Sequence, residues 1–131
     1  MTLTEKIEKF LMEMDTNYDL ISENTWLVDD ENDGINGIII RYEDPVVLFR
    51  VKAMTLPKSN KEAFLTKILE LNATDMLYGA YALEGDNVVI INTLAAENLD
   101  FNEFQSTIES ISLSLIEHYK VLQQFIEKGD K

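Results

Sequence analysis

The chain of 131 residues has no cysteine, one histidine, two prolines and five glycines. Without cysteine, disulfides, thiolate catalysis and Cys-ligated zinc are all excluded. His118 has no second imidazole with which to share a metal. Its neighbour Glu117 points about 100° away on a helix, so His118 reads as a structural histidine, on a helix surface or partly buried. There is no glycine-rich phosphate loop, and no paired titratable groups mark a pocket. No apolar run approaches the roughly 18 residues that span a bilayer. The N-terminal MTLTEKIEKFLMEM mixes charges where a signal peptide would carry an apolar core. These absences predict a cytoplasmic protein that is not an enzyme and has no catalytic, cofactor-binding or metal-binding residues.

Basic residues are also scarce. Eleven stand against 24 acidic ones, a net charge of −13, and none lies between Ile68 and Tyr119. That span holds Glu70, Asp75, Glu84, Asp86, Glu97, Asp100, Glu103, Glu109 and Glu117. Such a surface repels phosphate backbones and anionic headgroups, so neither nucleic acid nor membrane is an expected partner. A solvated skin that keeps the domain soluble is the plainer reading of this charge, and attraction to a basic protein the functional one. The hydrophobic fraction of 46% is too high for a disordered chain. The length suits one domain, residues 1–131, with a single core.

The pattern along the chain gives the elements. Thr2 with Glu5 forms a capping box, and Ile7, Phe10, Leu11 and Met14 follow at helical spacing until Asp15-Thr16-Asn17. Trp26 to Val28 begins a first strand, with Tyr18 to Ile21 as a potential earlier piece of it. Asp29 to Gly37 is turn chemistry, Ile38 to Tyr42 a second strand, and Asp44-Pro45 a turn. From Val46 to Met54, Val47, Phe49, Val51 and Ala53 alternate with Leu48, Arg50 and Lys52, a half-buried third strand. Ser59 with Glu62 offers a second capping box for a helix to about Leu71, burying Phe64, Leu65, Ile68 and either Leu71 or Leu69, with Asn72 as its C-terminal cap. Tyr81 to Leu83 and Val88 to Thr93 flank Glu84-Gly85-Asp86-Asn87 and make a hairpin. Gly79 before it suits a close backbone approach or a bulge. Asp100 with Glu103 opens the last helix. Its stripe is Phe101, Phe104, Ile108, Ile111, Leu115, Tyr119 or His118, Leu122 and Ile126, with Leu113, Ile116 and Val121 lying off it.

The expected order is α-β-β-β-α-β-β-α, an α+β domain whose antiparallel sheet carries helices on one side. Asp29 to Asp33 imitates the front of a calcium loop, but its twelfth position is Ile40 and strands flank it, so little or no calcium binding is expected. The run Val88-Val89-Ile90-Ile91 has no polar alternation. An antiparallel strand usually has one wet face, so a run apolar on both faces needs a second cover. These four residues are therefore the candidate protein-binding site, with either Val88 and Ile90 or Val89 and Ile91 facing out. The same surplus of apolar surface predicts a homodimer.

Ile68-Leu69-Glu70-Leu71-Asn72, Gly79-Ala80-Tyr81-Ala82-Leu83, Thr93-Leu94 and Leu99-Asp100-x-x-Glu103, in this order of elements, resemble the YbjN-type domain. That domain is similar in fold to the small acidic CesT-type chaperones of bacterial type III secretion. The resemblance covers nearly the whole chain, and its motifs are structural. It implies a homodimer that holds a partly unfolded or amphipathic client segment along hydrophobic surface, with no catalytic residues to carry over. The alternative it implies is a YbjN-like regulatory or stress-related adaptor that binds one folded partner.

Overall fold

A computed structural model describes residues 1–30 and 35–129. Its elements are α1 (Leu3–Glu13), β1 (Tyr18–Ser22), β2 (Thr25–Asp30), β3 (Ile35–Glu43), β4 (Val46–Thr55), α2 (Lys61–Thr74), β5 (Ala80–Glu84), β6 (Asn87–Ala95) and α3 (Phe101–Gly129). The order is thus α-β-β-β-β-α-β-β-α, an α+β fold with one more strand than expected. Tyr18–Ser22 is a strand of its own, folded back on β2 through Glu23-Asn24. Asn24 supplies the left-handed backbone of that turn, with φ 56°, a conformation that asparagine tolerates better than most residues. Glu31 to Gly34 lie outside the described residues, and with them most of the Asp29 to Asp33 cluster.

All six strands pair antiparallel in the order β1-β2-β3-β4-β6-β5. The sheet is open, with β1 and β5 as its edges. Its inner face carries Trp26, Val28, Ile38, Ile40, Phe49 and Ile90, all fully buried. Ile7 and Leu11 of α1, Phe64 of α2, and Phe104, Ile108 and Ile111 of α3 join them in one core. An aromatic run holds the layers together. Phe104 of α3 stands 5.5 Å from Phe10 of α1 and 5.6 Å from Phe49 of β4. Phe64 and Phe125 pack edge to face at 5.5 Å and tie α2 to the far end of α3.

Helix boundaries follow the capping chemistry at two of three starts. Thr2 Oγ1 accepts from the Glu5 amide at 3.1 Å while the Thr2 amide donates to Glu5 Oε1 at 3.0 Å. Asp100 Oδ1 accepts from the Glu103 amide at 2.7 Å. At α2 the N-cap is Asn60, left-handed at φ 57° and without a side-chain cap bond, so the helix starts one residue later than Ser59 with Glu62 requires. Its C-terminus also differs. The helix passes Asn72 to Thr74 and ends at Asp75, whose amide donates to the Leu71 carbonyl, and the Asn72 side chain engages the sheet instead.

Candidate protein-binding surface

Strand β6 resolves the unbroken apolar run by its register. Ile90 pairs with Val51 and Tyr81, and Val88 with Met54 and Leu83. These partners put Val88 and Ile90 in the core, where both are buried. Val89 pairs with Lys52 and Ala82, and Ile91 with Arg50 and Ala80, so these two face outward. Of the two alternatives, the outward pair is therefore Val89 and Ile91. Yet Val89 has no exposed area, whereas Ile91 is 42% exposed. Val88, Val89 and Ile90 are structural, and Ile91 is the one member of the four open to a partner.

The outer face has a defined composition. Asp19, Leu27, Ile39, Arg50, Ile91 and Ala80 stand side by side across all six strands. One row along, Lys52 flanks Val89. Arg50 Nε donates to Glu84 Oε1 at 2.8 Å, and Arg50 Nη2 makes a second contact with the same oxygen. This bond to Arg50 holds the Glu84 carboxyl below its ordinary range, against a smaller opposing push from burial. The apolar face is thereby broken by fixed charge instead of lying bare.

The two edges of the sheet differ. At β5 the Asn72 side chain acts as a surrogate strand, donating through Nδ2 to the Tyr81 carbonyl at 3.2 Å and accepting through Oδ1 from the Tyr81 amide at 2.7 Å. An asparagine amide carries the donor and acceptor that a peptide unit would offer, so α2 caps this edge at Tyr81. Gly79 leads into it at φ 83°, and a Cβ there would lie 2.7 Å from the Ile91 carbonyl oxygen. At the opposite edge, β1 shows Leu20 and Ile21 at 57% and 51% exposure. By sequence this segment is expected only as an earlier piece of the strand that Trp26 begins. The paired Leu20-Ile21 beside Asn24 was the signal for an apolar edge strand.

His118 is buried, and its partners come from two other elements. Its Nδ1 lies 2.8 Å from the Tyr81 hydroxyl, and its Nε2 lies 3.3 Å from Asp75 Oδ2. With the Tyr81 hydroxyl donating to Nδ1, the Nε2 proton is the one that meets Asp75. Burial, reinforced by the charge of Asp75, pushes the Tyr81 phenol far above its ordinary value. The hydroxyl of Thr74 is the main cause that holds the Asp75 carboxyl below its usual range, and His118 adds to it. The chain joins α3, β5 and the end of α2, so its members act as a strut. His118, not Tyr119, is the inward member of the α3 stripe. Among the described residues no group of three or more His, Asp or Glu side chains is placed to hold a metal. Nor is any helix among them long and apolar enough to cross a membrane.

A family model, CesT_Tir_1, matches residues 1–128. Among solved structures, YbjN of E. coli is similar with a TM-score of 0.65 at 15% identity, over 89% of this chain and 91% of that one. A chain of the HopA1–SchA chaperone–effector complex is similar with a TM-score of 0.59 at 12% identity, over 95% and 94%. A chain of the complex between the Yersinia pestis type III secretion chaperone SycH and a fragment of YscM2 gives 0.55 at 16%, over 88% and 98%. At these identities the likeness is one of fold. A sequence comparison with curated proteins finds no match.

Proposed function

The chain belongs to the CesT_Tir_1 family, and from that premise we propose that it is a non-enzymatic, chaperone-type protein-binding domain of the bacterial cytoplasm. It holds an extended, partly unfolded client segment. The observation that carries this reading is the asymmetry of the sheet edges. Asn72 takes both backbone groups of Tyr81 at the centre of the β5 edge, while β1 presents Leu20 and Ile21 on an edge strand. An open edge gives main-chain hydrogen bonds to an added strand, and the exposed side chains give it apolar contact. Ile91, on the outer face, is the second contact point.

The test is capture of clients by the full chain compared with a Leu20→Ser/Ile21→Ser variant and an Ile91→Ser variant. All three substituted positions are exposed, so each variant should keep its thermal melt. Loss of extended clients from the β1 variant supports the reading. Unchanged capture by both variants refutes it.

The likeness to YbjN favours a second reading, a regulatory adaptor that binds one folded partner. It predicts a single stoichiometric partner whose own melting transition survives in the complex. Homodimerisation is a further part of the proposal. Leu69 of α2, Leu77 before β5 and Leu83 of β5 are all exposed, Leu77 at 88%, in a region without basic residues. Light scattering at micromolar concentration should give twice the formula mass of 15.0 kDa.

A further inference from the structure

A groove of about 430 Å³ runs between the end of α1 and the middle of α3. Met14 and Thr16 form one wall, and Gln105, Glu109, Leu113 and Ile116 form the other. Ser112 lies at its floor, buried, with its hydroxyl turned back onto the Ile108 carbonyl at 2.9 Å. Leu113 and Ile116 are more than half exposed, although both stand on a helix with an ample core stripe of its own. The α3 wall repeats at three-and-four spacing from residue 105 to 116, about 16 Å of helix. Its volume lies within the roughly 300–1,000 Å³ range of built binding clefts.

Two features identify the occupant. The α3 wall is helical, with its backbone polar groups already bonded within the helix. A strand laid there would leave its own amides and carbonyls unpaired, whereas a helix arrives with its backbone satisfied. The lining carries one charge: Glu109 stands in the wall, exposed, and no base lines the groove. The first base on the α3 side is Lys120, one turn beyond Ile116. We propose that this groove binds an amphipathic helix of a protein partner, with aliphatic residues inserted between Met14 and Ile116 and Lys or Arg set against Glu109. The inference rests on the protein-binding reading above but uses a surface separate from β1 and Ile91. Apolar insertion supplies the affinity, and Glu109 selects the charge of the helix.

The test uses the full chain, labelled with ¹⁵N, and two synthetic helical peptides of three to four turns. One is built of leucine and lysine, and its twin has glutamate in place of lysine. The lysine peptide should shift the amide signals of Met14, Thr16, Glu109, Ser112, Leu113 and Ile116. Ile116→Ser should weaken its binding about tenfold, the loss of one buried aliphatic contact. Glu109→Lys should weaken the lysine peptide and strengthen the glutamate twin. Both positions are exposed, so both variants should fold. Equal binding of the two peptides, no binding, or shifts centred on β1 or Ile91 would each overturn the groove assignment. So would groove signals that move with protein concentration alone, since a second copy would then be the occupant. None of these results touches client capture at β1, which has its own variants.

Discussion

Arg50 and Glu84 stand on strands that are not neighbours, and their ion pair crosses β6 over Val89. Arg50 is in register with Ile91, and Glu84 with Asn87, so the line between them passes midway along β6 at Val89. That placement explains a valine with no exposed area on the outer face of a half-solvated sheet. The arginine stem covers apolar surface while its charged head reaches a carboxylate.

Val89 and Ile91 should therefore respond differently to the same change. Val89→Ser removes a fully covered side chain and places a hydroxyl under the ion pair, at a cost of about 2 kcal/mol. Ile91→Ser should stay within about 0.5 kcal/mol, as exposed substitutions do. Urea denaturation of the two variants gives the comparison. Equal losses would show that the ion pair does not roof Val89.

Tyr81→Phe should cost about 1–3 kcal/mol, because it leaves the buried His118 Nδ1 without its partner. It should also change the alkaline limb of stability. The folded phenol titrates above its ordinary value of 10.0, so its contribution is full below pH 10 and is lost as pH rises past it. Thermal melts between pH 8 and 11 should fall for the native chain and flatten for Tyr81→Phe.

Acid stability follows from the depressed carboxyls. Glu5, Asp75 and Glu84 all titrate below their ordinary values, through Thr2, through Thr74 with His118, and through Arg50 respectively. Their contributions are present above pH 4.5 and are lost as pH falls through the depressed values. Asp75→Asn should shift the acid limb toward neutrality and reduce its slope in melts between pH 2 and 5. Salt screens charge pairs, so added salt should weaken the Arg50 contribution at Glu84 and largely spare the bonds from Thr2 and Thr74.

Gly79→Ala should be the most damaging small substitution in the hairpin. It combines a left-handed φ of 83° with a Cβ placed 2.7 Å from a backbone oxygen. Strain of this kind costs on the order of 1–3 kcal/mol, and the ladder between β5 and β6 must shift to relieve the clash. Gly85→Ala, also left-handed at φ 60° but with nothing near its Cβ, should cost less. Chemical denaturation of the pair separates steric contact from backbone strain.

Asn72→Ala should free both polar groups of Tyr81 at the β5 edge. The expected result is a loss of about 1–3 kcal/mol together with increased self-association through the uncovered strand. A stable variant with native oligomeric state would show that α2 does not guard that edge.

Local chemistry determined much of this protein from its sequence alone. The Thr2–Glu5 and Asp100–Glu103 caps, the alternation along β4 and the turn at Gly85 all depend on residues a few positions apart. The sequence could therefore reveal them, along with the α+β class and the family resemblance. Strand β1 is less legible because its turn, Glu23-Asn24, contains neither glycine nor proline, which leaves Asn24 as its one turn signal. The outcomes that tertiary structure decided involve distant partners. Asn72 lies within α2, and its side chain meets the backbone of Tyr81, nine residues on. His118 faces inward because Tyr81 and Asp75 meet it there. The run from Val88 to Ile91 is apolar at every position, so periodicity could not assign its faces. Pairing with β4 and β5 did, and the Arg50–Glu84 bridge across β6 then left Ile91 alone in the open.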